Sequence, residues 1–124
     1  MNVTDVVWVG GAGGAGAAAR FVLDGVIRTR LRSRVPAGTV TINVTGSFLL
    51  GVLTGLVMFH GASSTVTTVA GTGFCGGYTT FSTASFETVR LLQQRALGAA
   101  WVNAGVTLVG TLGAGALGLA LTRL

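Results

Sequence analysis

The chain has 124 residues, of which 50% are hydrophobic and only 9% charged, and its mean hydropathy is +0.74. Soluble domains carry roughly 25% charged residues, so the composition excludes an ordinary soluble domain and fits one membrane-embedded domain over residues 1–124. The net charge of +5 comes from eight arginines and no lysine against Asp5, Asp24 and Glu87, and the arginines gather between apolar segments, which reads as a topology signal and not as a nucleic-acid surface.

Four apolar segments are predicted as spanning helices, at about 5–27, 38–59, 65–90 and 97–121, each near or above the ~20 residues that crossing a bilayer requires. The N-terminus lacks a basic region ahead of its first hydrophobic stretch, which is also too long for a cleavable signal. Within the first span, Gly11, Gly13 and Gly16 satisfy a dinucleotide-binding spacing. With no preceding strand and no acidic residue about 20 positions on, helix packing is the expected use of these glycines. Arg20 and Asp24 share a face one turn apart. They read either as an ion pair or as the source of positive potential, from Arg20, at an anion vestibule.

Pro36 falls where the second helix should begin. Thr39, Asn43 and Ser47 then form a polar stripe at i, i+4 and i+8. The third span is the irregular one. Gly76-Gly77 is followed by Thr79, Thr80, Ser82, Thr83 and Ser85, and a helix break is expected near residues 76–80. In hydrocarbon, backbone groups freed by a break need partners, so such a break belongs where it is packed in protein, lines a cavity or holds an ion. Glu87 reads either as a partner for Arg90 or as an ion relay. On the fourth span Asn103, Thr107 and Thr111 form a second polar stripe, while Trp8 and Trp101 are expected at the membrane boundary. Small-residue pairs at Gly10/Gly14, Gly51/Gly55, Gly73/Gly77 and Ala114/Gly118 predict close helix packing. Cys75 is the sole cysteine and reads as a packing residue. With three acids, one histidine and one cysteine, no catalytic constellation is evident and an enzyme is not expected.

Four spans place both termini on one side. Arg28, Arg30, Arg32, Arg34, Arg90 and Arg95 lie on the opposite side, with only Arg123 on the terminal side. The positive-inside rule therefore predicts both termini outside the plasma membrane of a bacterium, in a single orientation.

Three stretches then carry a resemblance. Gly13-Gly14-Ala15-Gly16 leads to Arg20; Pro36-Ala37-Gly38-Thr39 runs on to Asn43-Val44-Thr45-Gly46-Ser47-Phe48; and Gly73-Phe74-Cys75-Gly76-Gly77-Tyr78-Thr79-Thr80-Phe81-Ser82-Thr83 closes the set. In this order, along essentially the whole chain, they resemble the CrcB/Fluc family of fluoride channels. The resemblance implies an all-α membrane protein that works as an antiparallel dimer, with two fluoride paths along the subunit interface. It implies a central, non-transported sodium ion held by the backbone carbonyls of Gly76 and Thr79, and no organic cofactor. It places the pore asparagine on Asn43, the first pore phenylalanine on Phe81, and the fourth-helix polar positions on Asn103 and Thr107. With the neighbouring hydroxyls, the expected fluoride path comprises Asn43, Phe81, Ser82, Thr83, Thr39, Asn103 and Thr107. Arg20 is expected at a vestibule.

The chain departs from the family pattern at one point. The second pore phenylalanine should stand where Ala84 stands, and Phe86 points about two residues away around the helix. Together with the one-sided arginines, this suggests an antiparallel heterodimer with a related subunit of opposite charge bias, a homodimer being the simpler case. The competing readings are a conduction-deficient partner subunit and a proton-coupled small multidrug exporter. The exporter reading wants a membrane-embedded glutamate in the first helix, where this chain has Arg20 and Asp24.

Overall fold

The computed structural model describes residues 2–124, and its elements are all helical. Helix α1 (Val3–Arg30) opens on a capping box: Asn2 Oδ1 accepts from the Asp5 amide at 2.9 Å and Asp5 Oδ2 accepts from the Asn2 amide at 3.3 Å. Its 28 residues rise about 42 Å. That is longer than a ~30 Å hydrocarbon core, so Arg28 and Arg30 project beyond it. Helix α2 (Ala37–His60) starts directly after Pro36, where the sequence expects a start. It stops at Gly61, whose φ of 66° suits a residue without Cβ.

The third span is broken as expected and is more irregular than expected. A short α3 (Ser64–Thr67) passes into a π-helical stretch (Thr68–Cys75), then into α4 (Gly76–Tyr78); residues 79–81 are non-helical and α5 (Ser82–Gln93) follows. The fourth span is α6 (Leu97–Leu121). By length and apolarity α1, α2 and α6 can each cross a membrane; the third span divides its length between two helical halves.

Small residues decide how the helices meet, since van der Waals packing replaces the hydrophobic drive inside lipid. A methyl placed on Gly16 would run into the Phe74 carbonyl, and one on Gly77 into the Gly13 carbonyl, so α1 and the third span touch backbone to backbone. On the other side, Gly51 of α2 lies on the Gly115 backbone and Gly118 lies on Phe48 and Val52. The expected Gly51/Gly55 and Gly73/Gly77 pairs are thus contact sites, and on α6 the contacts are made at Gly118 and Gly115. Gly10 and Gly14 differ: nothing lies within 4 Å of where their Cβ atoms would be. The register is set by Gly13 and Gly16 on the neighbouring face. Of the glycines in the dinucleotide-like spacing, Gly13 and Gly16 pack against the third span, while Gly11 has nothing within 4 Å.

The bundle is apolar outside and partly polar within. Phe21 is 81% exposed and Val109 70%, whereas Thr39, Asn43 and Asn103 are 3%, 6% and 1% exposed. Trp8 and Trp101 are both exposed near helix starts, and Cys75 is buried. At the terminal end, His60 Nε2 lies 2.5 Å from the Thr122 carbonyl oxygen and Arg123 sits over the Phe59 ring.

The turn from α5 to α6 forms a Schellman motif. Ala96 N donates to Leu91 O at 2.9 Å and Arg95 N to Leu92 O at 3.0 Å, while Leu91 and Ala96 pack together. Arg95 holds the left-handed position, at φ 58°, that glycine ordinarily fills. Left-handed backbone costs a side-chain-bearing residue about 1–2 kcal/mol. Arg95→Gly should therefore raise the unfolding temperature of the purified protein, by an amount equivalent to about 1 kcal/mol; thermal unfolding in detergent checks it.

Candidate functional site

The site is built on the break in the third span, and the break is held by α2. Asn43 Nδ2 donates to the Thr80 carbonyl at 2.8 Å and Asn43 Oδ1 accepts from the Thr80 amide at 2.8 Å. One side-chain amide thus satisfies both backbone groups of a residue that has left the helix. Thr80 Oγ1 in turn accepts from the Thr83 amide at 3.1 Å and so caps the first turn of α5.

These bonds have a consequence for the carbonyls. In a continuous helix the Thr80 amide would close on Gly76 O and the Thr83 amide on Thr79 O. Both donors are turned elsewhere. Gly76 also faces open space, with nothing within 4 Å of where its Cβ would be. Gly76 and Thr79 are therefore carbonyl oxygens released from the helix ladder. Freed main-chain oxygens of this kind can face a cation. Among the described residues, no group of three or more His, Cys, Asp or Glu could hold a metal ion through side chains.

Two cavities meet at the break. An open groove of about 520 Å³ is lined by Asn43, Ser47, Gly76, Thr79, Thr80, Phe81, Thr107 and Thr111, among others. A second cavity of about 310 Å³ carries Arg20, Asp24, Thr39, Thr80 and Thr83. Thr80 belongs to both walls. Phe81 is 87% exposed and stands on the rim of the groove. Ala84 lines the same groove and Phe86 does not, so the aromatic missing at position 84 is not supplied from position 86. Thr107 Oγ1 is buried and has no hydrogen-bond partner.

Other expected residues lie elsewhere. Asn103 sits between α6 and α5 and donates to Thr88 Oγ1 at 2.7 Å, outside both cavities. Ser82 is exposed at the start of α5 and lines neither of them. Glu87 accepts from Thr39 Oγ1 at 2.6 Å and not from Arg90. The pairing of Arg20 with Asp24 is corrected as well. Asp24 Oδ2 accepts from Arg28 Nε at 2.9 Å. Both arginines are one turn from Asp24, but an acid four residues ahead of a base is the favourable order on a helix. Arg20 is left among the hydroxyls of the smaller cavity.

Thr80 is the site residue that sequence reasoning misses. The only trace of its part is that it stands three residues before Thr83, a capping distance. Thr45 and Tyr78 were also not singled out; their hydroxyls lie 2.9 Å apart and tie α2 to the third span just ahead of the break.

A bundle of apolar helices with one helix broken, its freed carbonyls and hydroxyls turned toward an open groove, defines an ion-handling membrane protein. The chain belongs to the CrcB family: the model described as "CrcB-like protein, Camphor Resistance (CrcB)" matches residues 7–119. It is 53% identical to the fluoride-specific ion channel FluC 1 of Leifsonia xyli subsp. xyli over 96% of this chain and 87% of that protein. It is 50% identical to FluC 2 of Cutibacterium acnes, over 94% of this chain and 95% of the other. With FluC 2 of Mycobacterium tuberculosis strain H37Rv it shares 42% identity over 94% and 90%.

Proposed function

We propose that this chain is a subunit of a fluoride-specific channel that lets fluoride leave the cytoplasm passively, lowering its toxicity. The observation that carries the reading is the Asn43–Thr80 clamp, which frees the Gly76 and Thr79 carbonyls beside the groove that Phe81 borders. In this reading a structural sodium ion sits on those carbonyls where two antiparallel subunits meet. Fluoride passes along the hydroxyls and amides, with Asn43, Thr83 and Thr107 as donors and Thr39, whose proton goes to Glu87, on the wall. The unpartnered Thr107 hydroxyl and the remaining N–H of Asn43 are available to replace water around a small, strongly hydrated anion. The positive edge of the Phe81 ring faces the ion, and Arg20 supplies positive potential at one mouth. Asn103 and Ser82 act through the walls of the path, given where they lie.

Ala84 favours a second form of the same reading, in which the partner is a paralogous subunit of opposite topology and this chain contributes an incomplete aromatic set. Both termini are then outside and the arginine-rich end is cytoplasmic.

Fluoride efflux from fluoride-loaded liposomes, followed with a fluoride electrode, tests these statements. Channel activity should appear without any proton gradient, exclude chloride, and require a co-reconstituted related subunit. Rapid fluoride efflux from the chain alone would remove the need for that partner. No fluoride flux under either condition, with proton-driven export of organic cations, would replace the channel by the exporter.

A further inference from the structure

Most of the charge lies at the end of the bundle away from the termini. Arg28, Arg30, Arg32 and Arg34 follow one another from the end of α1 into the connection before α2, and Arg90 and Arg95 lie at the end of α5 and in the turn after it. Four of them, Arg28, Arg32, Arg34 and Arg90, line one cavity of about 440 Å³. Of the acids on its wall, Asp24 binds Arg28 through Oδ2 while its Oδ1 is buried without a partner, and Glu87 accepts from the Thr39 hydroxyl. Among the described residues Arg28–Asp24 is the only side-chain ion pair, so Arg32, Arg34 and Arg90 border the cavity with no carboxylate partner. Between them the wall is apolar, at Leu31 and Val35.

We infer that this pocket binds the phosphodiester headgroup of an anionic phospholipid. Planar guanidinium groups match phosphate oxygens bidentately, and basic pockets between membrane helices at the charged face are a recurrent place for such headgroups. The arginines stand where three helices end, the depth at which lipid phosphates lie. Leu31 and Val35 offer apolar surface to the glycerol backbone and the first methylenes, which free phosphate does not need. The cavity shares no lining residue with the groove at Asn43, and of the smaller cavity's lining it shares Asp24 alone.

The test uses the full chain, purified in neutral detergent and stripped of lipid, with binding read by native mass spectrometry and thermal shift. Phosphatidylglycerol, phosphatidylcholine and inorganic phosphate are titrated separately. Phosphatidylglycerol should bind and raise the unfolding temperature, and the other two should not. Each of Arg32→Gln, Arg34→Gln and Arg90→Gln should weaken binding about fivefold, and the triple variant about a hundredfold. Arg123→Gln, at the other end, should leave it unchanged. Should the triple variant not fold, raising salt from about 0.1 to 1 M, which cuts the screening length from about 10 to 3 Å, should weaken phosphatidylglycerol binding to the parent chain. Equal binding of phosphatidylcholine, full binding by the triple variant, or insensitivity to salt would overturn the assignment. Competition by inorganic phosphate at lipid-like concentrations would make this a small-anion site instead and overturn the lipid.

Discussion

Asn43→Ala should abolish fluoride efflux and leave the protein barely folded. The substitution removes both partners of the Thr80 peptide at once, its carbonyl and its amide. A buried polar group left unpaired costs about 1–3 kcal/mol, and the cost rises where no water can substitute. Two such groups cost about 2–6 kcal/mol, a large share of the about 5–15 kcal/mol that holds a typical domain together. Asn43→Asp separates the two bonds: a carboxylate oxygen still accepts from the Thr80 amide, but the other faces the Thr80 carbonyl oxygen with nothing to donate. It should fall between the parent and the alanine variant in thermal stability. Flux in liposomes and unfolding in detergent measure the two effects. Parental stability in Asn43→Ala would mean that the break holds itself open without α2.

Gly77→Ala and Gly16→Ala are the second pair with a large expected effect. On propensity alone, alanine for glycine inside a helix gains about 1 kcal/mol. Here the added methyl would meet main chain: Gly13 O for position 77, and Phe74 O with Tyr78 N for position 16. Backbone atoms cannot swing aside as a side chain can, so α1 and the third span must separate along their length. Overpacking of this kind costs typically 1–3 kcal/mol, and backbone neighbours put it at about 3. The net sign is therefore destabilising, by about 2 kcal/mol for each. Gly10→Ala and Gly14→Ala meet nothing within 4 Å and should be neutral or slightly stabilising. Size-exclusion profiles after a heating series distinguish the two pairs. Equal behaviour of all four would mean that helix approach does not depend on Gly16 and Gly77.

The parts legible in the sequence are those with local causes. Hydropathy places the spans, Pro36 starts α2, and Gly76-Gly77 with the hydroxyls after it announces a break. Spacing alone could not choose which glycines meet: Gly10/Gly14 and Gly13/Gly16 look equally suited on paper, and only the docking angle against Gly73 and Gly77 separates them. The π-helical stretch has no local signature, because it depends on how the chain from Thr68 to Cys75 is packed by α1 and α2. Asp24 had two arginines at equal separation, and the choice of Arg28 follows from helix direction. Asn43 was legible as a buried polar residue at the site, but not as a clamp, since its partner is backbone and backbone is the same at every position. Asn103 shows the converse: a polar stripe on α6 includes it by spacing, yet Thr88 across the helix pair takes its amide.

The clamp also bears on the order in which the protein is made. Chains are synthesised N-terminus first, so α2, with Asn43, enters the membrane before Thr80 has been added. The third segment can insert as a continuous helix, keeping its own ladder closed while it is alone in lipid, and open between Tyr78 and Ser82 only when it docks on α2. Biogenesis is thereby protected from its own functional defect: the peptide bonds that must be open in the finished protein need never face hydrocarbon unpaired.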